Sequence, residues 1–507
     1  MSTVLETGAP QPETRGDRPP FAIGGVAAVA VVSAIALFAS IGRYGFFGDE
    51  LYFISAGRRL AASYADQGPL APAIARLMDL MAPGSLVAQR IPAVLITLAA
   101  IVISAQIARE FGGSRRAQVL TAIAYATSPF LLAQGAQLST NAVDTALWVV
   151  IGWLVIRWVR TRQDMLLLWA GVVTAIDMQV KWLVPFFWAA IAVGVLVFGP
   201  RELLRRPMLW WGAALVALTM LPSLFWQARH GWPQLGMGAQ VAAEQSAIGG
   251  RVTFVPMALI LAGALGLLLL ACGMWALLRW EPLRPYRFLG LVLPLLMLAF
   301  LVTNGRAYYV IGCYPAIIGA GAVWWAHRAV RWRRIVAASV VVVSVITVAW
   351  ALPWKPESQI PSTDDETAIG MDLGTYGKFG WTELREAVAA AYRALPEPER
   401  ARAVIVTDNY WQAGALDVAR DDYGLPAVYS PNRGFGYFGT PPDSATTVLW
   451  VGGEESDMRS RFTTVTAVGR VNARLGIPGI VRDVTLWRCD GPIRPWSQAW
   501  SDMLGLG

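Results

Sequence analysis

Long apolar runs separated by short basic segments dominate the first two thirds of the chain. Because a helix rises about 1.5 Å per residue, about 20 residues cross a hydrocarbon core of ~30 Å. Backbone groups in lipid must bond within their own segment, so the apolar runs predict about 11 transmembrane helices. The runs lie at roughly 22–42, 88–108, 117–133, 139–159, 165–180, 183–199, 208–226, 253–279, 286–303, 307–326 and 333–353. The short runs at 165–180 and 183–199 also fit one broken hairpin.

The composition excludes a single water-soluble globule of this size. The chain has 507 residues, of which 55% are hydrophobic and 15% are charged, against about 25% charged residues in ordinary soluble domains. Two histidines cannot form a histidine-rich zinc site, and three cysteines do not form a disulfide framework or a CxxC pattern. The net charge of +8 requires no nucleic-acid partner, because basic loops orient membrane spans.

The composition changes after Trp354 and predicts a second domain over 354–507. This region carries 15 Lys+Arg and 20 Asp+Glu, whereas the rest of the chain is basic. Segments 403–407, 447–451 and 483–487 are typical of strands, and 381–395 and 411–422 have apolar residues at helical spacing. No G-x-G-x-x-G or Walker motif supports nucleotide binding. We therefore predict a small C-terminal α/β domain attached to a transmembrane domain over 21–353.

Arginines alternate between successive loops and predict the orientation. They are concentrated at 109–116, 157–162, 201–206, 279–287 and 328–334, while the alternate loops contain few. The positive-inside rule places the arginine-rich set in the cytoplasm. A multi-pass protein of the cell membrane follows, with a disordered cytoplasmic tail at 1–20 and an external C-terminal domain. The external loop at 43–86 breaks the trend with four arginines, which a folded loop explains.

This first external loop contains the most informative carboxylates. Asp49 and Glu50 begin a predicted amphipathic helix, and Asp66 and Gln67 follow later in the loop. A carboxylate at a helix N-terminus is a common cap that the helix dipole favours. The alternative is a general base, since a carboxylate within hydrogen-bond reach can accept the proton of an attacking hydroxyl. The residue pattern alone leaves both interpretations open.

Other polar residues lie at the predicted external ends of spans. Lys181 is the only lysine before residue 355. A lone charge beside a membrane segment is costly and usually functional, although a long side chain can also extend to the membrane interface. Arg306 is a candidate for binding phosphate or for anchoring the interface. Asp144 either contacts a sugar or a metal, or makes a buried hydrogen bond to Asn141 or to another helix. The aromatic and imidazole side chains of Tyr308, Tyr309 and His230 fit either a substrate site or an interfacial belt.

Several motifs occur in the order found in one family of membrane enzymes. They are Asp49-Glu50, the element Asp66-Gln67-Gly68-Pro69-Leu70, the group Ser139-Thr140-Asn141 with Asp144, Lys181, the segment 221–233, and Gly305-Arg306-Ala307-Tyr308-Tyr309. In this order the chain resembles the glycosyltransferase family 39 and protein O-mannosyltransferase-like superfamily, which includes the bacterial aminoarabinose transferases of lipid A. Gly68 departs from the family's Asp-x-Pro-Pro-Leu element, and Arg306 stands where family members often carry lysine.

The resemblance implies a polytopic, mainly α-helical protein of GT-C type. It implies inverting transfer of a sugar from a polyprenyl-phosphate donor to an acceptor hydroxyl on the external side. By this resemblance, Asp49 is the catalytic base and Glu50 assists it or binds a metal or acceptor. The substrate-binding residues would be Asp66, Gln67, Asn141, Asp144, Lys181, His230, Arg306, Tyr308 and Tyr309. The metal site is unknown, and a divalent cation stays an open cofactor.

Two other function classes fit part of the pattern. A lipid or solute transporter or flippase would also have many spans and a few intramembrane charges, but it would favour internal repeats and charges at broken helices. A non-catalytic scaffold would not depend on Asp49. The sugar stays open, and the acceptor is a lipid, a glycan of the cell envelope or a protein.

Overall fold

The computed structural model describes residues 18–327 and 330–507. Its first part is helical, and several helices begin where a serine hydroxyl accepts a backbone N–H, as Ser85, Ser128 and Ser139 do. Most of the predicted tail, residues 1–17, lies outside the described residues. The helices are α1 (Ile23–Ser40), α2 (Gly48–Gly57), α3 (Leu70–Met81), α4 (Leu86–Glu110), α5 (Arg115–Ala126), α6 (Pro129–Ala133), α7 (Thr140–Thr161), α8 (Met165–Met178), α9 (Val184–Phe198), α10 (Pro207–Arg229), α11 (Pro233–Ala247), α12 (Gly250–Ile260), α13 (Gly263–Arg279), α14 (Leu289–Val302), α15 (Tyr314–His327) and α16 (Arg331–Ala351).

The apolar helices make this a multi-pass membrane protein. Within the described ranges, six helical segments are long and apolar enough to cross a membrane, and two bent pairs raise the number to eight. The bent pairs turn by 66° between α5 and the segment that begins with α6, and by 94° between α12 and α13. Three shorter apolar helices, α8, α9 and α14, lie on the remaining predicted runs. The helical character is confirmed, while the number of about 11 spans stays a prediction.

The C-terminal part contains the predicted small sheet, which has five strands where three were predicted. Its strand order is β2-β1-β3-β5-β4, with β2, β1 and β3 parallel and the other neighbours antiparallel. The strands are β1 (Ala403–Thr407), β2 (Val428–Tyr429), β3 (Thr447–Val451), β4 (Phe462–Val471) and β5 (Val484–Pro492). The helices of this part are α17 (Glu366–Met371), α18 (Leu373–Tyr376), α19 (Trp381–Arg393), α20 (Glu397–Arg400), α21 (Tyr410–Val418), α22 (Arg420–Tyr423), α23 (Glu455–Arg461) and α24 (Trp496–Met503).

The central strands β1 and β3 are buried on both faces. One face, including Ile405 and Leu449, joins a core that contains Leu51 and Phe53 of α2. The other face packs against Trp496 and its neighbours. A parallel strand covered on both sides is apolar throughout, which explains the continuous apolar runs of β1 and β3. The helix α2 therefore belongs to the same hydrophobic core as the sheet.

Two glycines permit close approach of neighbouring segments. A Cβ on Gly48 would collide with the indole of Trp411 on α21. A Cβ on Gly68 would collide with the backbone of Gln179, and the Gly68 N–H donates to the Val180 carbonyl oxygen at 3.2 Å. Proline has no N–H to donate. This contact explains why glycine stands where the related motif has its first proline.

A buried lysine beneath α2 gives the fold a pH-dependent stability. Burial, with a smaller contribution from Arg90, lowers the pKa of Lys378 to about 8 against the opposing effects of Glu50 and Asp372. The unfolded chain binds this proton more tightly, with a pKa of about 10.4. Stability contributed by this group therefore rises with pH between about 8 and 10.4.

We expect Lys378→Met to raise the thermal unfolding midpoint of the detergent-solubilised protein at pH 7. The gain should correspond to about 3 kcal/mol at most and should shrink as the pH approaches 10.5. Lys355→Met, at an exposed position, is the control and should change little. A gain independent of pH, or equal to that of the control, would contradict the assigned cause.

Candidate functional site

The N-terminus of α2 places Asp49 against the sheet domain. The Asp49 Oδ1 accepts hydrogen bonds from the Tyr410 hydroxyl and from the Trp411 Nε1, both at 2.8 Å. Burial raises the pKa of Tyr410 well above its usual range, so this phenol stays protonated and donates. Within the described chain, the side-chain hydrogen bonds of Asp49 all involve Oδ1. The carboxylate is thus oriented through one oxygen, and Oδ2 is left for another proton donor.

The adjacent Glu50 is buried in the opposite direction. Its oxygens accept two hydrogen bonds from Arg90, at 2.9 and 2.7 Å, and two from the backbone N–H groups of Phe47 and Leu138. Both side chains of the pair are 1% exposed. Arg90 also donates to the carbonyl oxygens of Ile41 and Gly45. With its lone pairs occupied in this way, Glu50 is suited to hold α2 in place rather than to exchange a proton.

Asp66 lies close to Asp49 on the loop between α2 and α3. Its Oδ1 accepts a hydrogen bond from Tyr52 at 2.8 Å. Burial raises the pKa of Asp66, while Arg433 and the Tyr52 hydroxyl oppose the increase and Asp49 adds to it. Gln67 is buried beside it, and its Nε2 has no hydrogen-bond partner among the described residues.

Side chains of α10 form hydrogen bonds to the loop that bears Asp66. Gln227 donates from Nε2 to the Ser63 hydroxyl at 3.0 Å and to the Tyr64 carbonyl oxygen at 2.8 Å. Ser223 donates to the Ala62 carbonyl oxygen at 2.8 Å. These bonds give the polar residues of the 221–227 segment a positioning role in the loop.

Two arginines and a glutamate form a second cluster, which we call the arginine clamp (Arg306, Glu244 and Arg433). Arg306 donates to Glu244 Oε2, and Arg433 donates to Glu244 Oε1. The guanidinium of Arg433 lies 4.8 Å from the centre of the Tyr410 ring. Because Tyr410 also binds Asp49, the clamp and the carboxylates belong to one polar site.

Lys181 lies in a neighbouring part of the site. Its Nζ donates to Asn141 Oδ1 at 2.7 Å and lies 4.5 and 5.5 Å from the ring centres of Tyr309 and Tyr308. Such contacts stabilise a cation on the aromatic faces. The sequence predictions for Asn141, Lys181, Tyr308 and Tyr309 therefore fall on residues that lie together.

Asp144 lies beside Asp177, and both carboxyl groups interact with Lys181. Both residues are buried, and the Asp144 Oδ1 and both Asp177 oxygens have no hydrogen-bond partner within the described residues. Asp144 thus has a carboxyl group of another helix, α8, as its neighbour, and its role in binding a ligand stays a prediction. The described residues contain no group of three His, Cys, Asp or Glu side chains arranged to hold a metal ion.

His230 packs among aromatic side chains. Its ring stacks on Trp226 with centroids 4.0 Å apart, and its Nδ1 lies 2.7 Å from the Trp226 carbonyl oxygen. Tyr437 of the sheet domain contacts both rings. The structure thus places this predicted residue in an aromatic contact between α10 and the sheet domain.

Sequence reasoning missed the residues that the sheet domain contributes, namely Tyr410, Trp411 and Arg433. It also missed Glu244 and Arg90. The aromatic pair that follows β1 and the glycine- and aromatic-rich segment at 432–438 were the available signals. Neither signal predicts that these residues contact Asp49.

Comparisons with known proteins agree with this architecture. Residues 66–226 match the family model described as dolichyl-phosphate-mannose-protein mannosyltransferase. No curated protein sequence matches the chain. ArnT from Cupriavidus metallidurans is similar in structure at 14% sequence identity, over 92% of this chain and 98% of that chain. The TM-scores are 0.57 with undecaprenyl phosphate bound and 0.58 in the apo state.

The chain has the GT-C fold. This result confirms the predicted fold class, a mainly helical membrane part with a small C-terminal sheet. The family match begins at Asp66 and does not reach Asp49. The roles of the individual site residues in this GT-C protein therefore stay predictions that rest on the geometry above.

The buried pair beneath α2 yields a stability prediction. We expect Arg90→Leu to destabilise the protein by about 3–5 kcal/mol, because it leaves the Glu50 carboxylate buried without its counter-ion. Adding Glu50→Gln should recover part of the loss, since the neutral amide needs no counter-ion and can still accept from the backbone. Thermal unfolding in detergent measures both effects. Wild-type stability of Arg90→Leu, or a double variant no more stable than Arg90→Leu, would contradict this role of the pair.

Proposed function

We propose that this protein is a membrane glycosyltransferase. It moves a sugar from a polyprenyl-phosphate donor to an acceptor hydroxyl of a lipid, glycan or protein, with inversion at the anomeric carbon. Asp49 is the catalytic base, and the arginines and Lys181 face the anionic donor. The reaction takes place on the external side, which is where the alternation of loop arginines puts α2 and the sheet domain.

The orientation of Asp49 carries this proposal. Tyr410 and Trp411 bind one carboxylate oxygen and leave the other available to an acceptor hydroxyl. A general base must lie within hydrogen-bond distance of the proton it takes, and a fixed carboxylate lowers the cost of reaching that geometry. A transporter or flippase has no evident need for an aspartate oriented by donors from a separate sheet domain.

The fold neighbour supports a lipid-phosphate donor. One ArnT structure is described as bound to undecaprenyl phosphate, and the GT-C fold shared with it supports the same class of donor here. The polar site of this chain contains the cations that such a donor requires. Arg306 and Arg433 lie beside the carboxylates, and Lys181 lies beside Asn141 and the two tyrosines.

The donor, the acceptor and Asp49 account for every bond and proton in the transfer. The acceptor oxygen forms a bond to the anomeric carbon as its proton passes to Asp49. The bond from the anomeric carbon to the phosphate oxygen breaks, and both electrons stay with that oxygen. The phosphate gains one negative charge, which neighbouring guanidinium groups stabilise. A direct displacement by the acceptor inverts the configuration.

We expect Asp49→Asn to reduce transfer at least about 100-fold, in the range for loss of a general base. The amide oxygen can still accept from Tyr410 and Trp411, so the local structure and donor binding should persist. Membranes or purified protein are assayed with a panel of polyprenyl-phosphate sugars. Asp365→Asn, at an exposed helix cap, is the matched control and should retain activity. Full activity of Asp49→Asn, or no transfer by wild type from any donor in the panel, would refute the assignment.

The sheet domain's contribution is tested separately through Tyr410. We expect Tyr410→Phe to lower kcat about tenfold, the loss of one charge-assisted hydrogen bond of about 1.5 kcal/mol, with a smaller change in KM. The ring contacts with Tyr52 and Arg433 are retained in this variant. Tyr429→Phe is the control, because Tyr429 lies on the sheet and packs against Trp500. Equal kcat values for both variants would mean that the Tyr410 hydroxyl does not position Asp49.

A further inference from the structure

The glutamate of the arginine clamp lies between cations from two distant parts of the chain. Arg306 precedes the helical turn at 307–313, and Arg433 begins the turn at 433–437 of the sheet domain. Each guanidinium donates to a different oxygen of Glu244, and Gln240 donates to Oε1 at 3.1 Å. The three charged side chains are 18–24% exposed, so the cluster is reachable from solvent.

The clamp has unused hydrogen-bonding capacity. The Nε of Arg433 is buried and has no hydrogen-bond partner among the described residues. A guanidinium offers Nε and Nη as a planar fork that matches two oxygens of a phosphate. Because the two arginines share one carboxylate, the Nε of the Arg433 fork is left without an acceptor in the described part of the chain.

The helix that carries Glu244, α11, buries few of its side chains. Only Pro233, Met237 and Gln245 are buried in α11. Its contact with the neighbouring loop runs through Asn304, whose Nδ2 donates to the Ala242 carbonyl oxygen at 2.7 Å and to the Ser246 hydroxyl at 2.8 Å. Rotation of the Glu244 side chain away from the arginines would leave these bonds intact.

We propose that Arg306 and Arg433 together bind the phosphate of the lipid-linked donor, and that Glu244 occupies their site until this phosphate displaces it. This inference rests on the proposed function and adds to it. It assigns a phosphate-positioning residue, Arg433, to the sheet domain. It also makes Glu244 a carboxylate stand-in for the phosphate oxygens.

Displacement of Glu244 suits the charge change of the reaction. The donor phosphodiester carries one negative charge, and the released lipid phosphate monoester carries up to two. With Glu244 withdrawn, two guanidinium groups face the phosphate and favour the more negative product-like state. Groups that bind the transition state more strongly than the ground state accelerate the reaction. A carboxylate that stayed in the clamp would repel the developing charge.

Binding measurements on the purified full-length protein in detergent test the displacement. The probes are undecaprenyl phosphate and, separately, inorganic phosphate. We expect Glu244→Gln to bind undecaprenyl phosphate roughly tenfold more tightly, because a neutral amide competes less for the arginines. Arg306→Lys and Arg433→Lys should weaken binding roughly tenfold, because lysine retains the charge but lacks the fork. Arg229→Gln, at an exposed position on α10, should change the Kd less than about twofold.

Each outcome decides the inference. Tighter binding of undecaprenyl phosphate by Glu244→Gln supports it, whether or not inorganic phosphate binds more tightly as well. A response limited to inorganic phosphate would assign the clamp to a free anion instead of the lipid. Unchanged or weaker lipid binding by Glu244→Gln would overturn the displacement. Where Glu244→Gln unfolds, as thermal unfolding reveals, wild-type affinity of Arg433→Lys would overturn the proposed phosphate contact.

The transfer assay separates this inference from the proposed function. If wild type transfers sugar, Asp49→Asn does not, and Glu244→Gln binds the lipid like wild type, then only the displacement fails. If wild type transfers no sugar from any donor and binds no undecaprenyl phosphate, the proposed function and the displacement of Glu244 both fail.

Discussion

The helix α2 is held from two sides at once, and this double contact decides where Asp49 lies. On one side, Glu50 forms a buried ion pair with Arg90 of α4. On the other, Leu51 and Phe53 enter the core of the sheet domain. Consecutive residues on a helix point about 100° apart. Fixing Glu50 towards the bundle therefore turns Asp49 towards Tyr410 and Trp411, so the ion pair has a geometric consequence beyond its stability.

The same constraint makes the sheet domain part of the site. A domain attached only by a linker could not keep the Tyr410 hydroxyl within 2.8 Å of Asp49. Here Gly48 and Gly434 allow side chains of the opposite part, Trp411 and Tyr52, to approach the backbone closely. Removal of residues 360–507 would expose the apolar face of α2 as well as the carboxylate. Such a deletion would therefore affect folding and catalysis at the same time, so its result could not be assigned to either one.

The sequence permits prediction of the elements but of only part of their contacts. Apolar runs and buried strands have a local signature, so α4, α7, β1 and β3 were predictable. The edge strands β2 and β4 were not predicted, because β2 has only two residues and β4 has mostly exposed side chains in a segment without a continuous apolar run. The predicted helix at 411–422 is two helices, α21 and α22. The domain boundary near 354 and the external orientation stay predictions.

The candidate site was predictable where residues are unusual for their surroundings. A lone lysine among apolar runs and a carboxylate beside a span are conspicuous, so Lys181 and Asp49 could be proposed from the pattern, while the family resemblance added Asp66. Tyr410, Arg433 and Glu244 are ordinary residues in polar segments. Their importance comes from contacts between positions far apart in sequence, as between Asp49 and Tyr410, and no local pattern encodes those pairings. The assisting role predicted for Glu50 stays a prediction, and what the sequence did not indicate is that Arg90 and two backbone N–H groups occupy its oxygens.

The two cationic regions of the site differ in what they can offer an incoming anion. Lys181 already has the carboxyl groups of Asp144 and Asp177 beside it, and its ammonium donates to Asn141. The arginine clamp has two guanidinium groups for one partly exposed carboxylate, with a donor nitrogen still unpaired among the described residues. Because Asp66 and Asp49 also lie within electrostatic range of Arg433, the clamp differs from the Lys181 group in the donor nitrogen that the described chain leaves unpaired rather than in its net charge. This nitrogen is the feature by which the clamp is suited to the proposed phosphate contact.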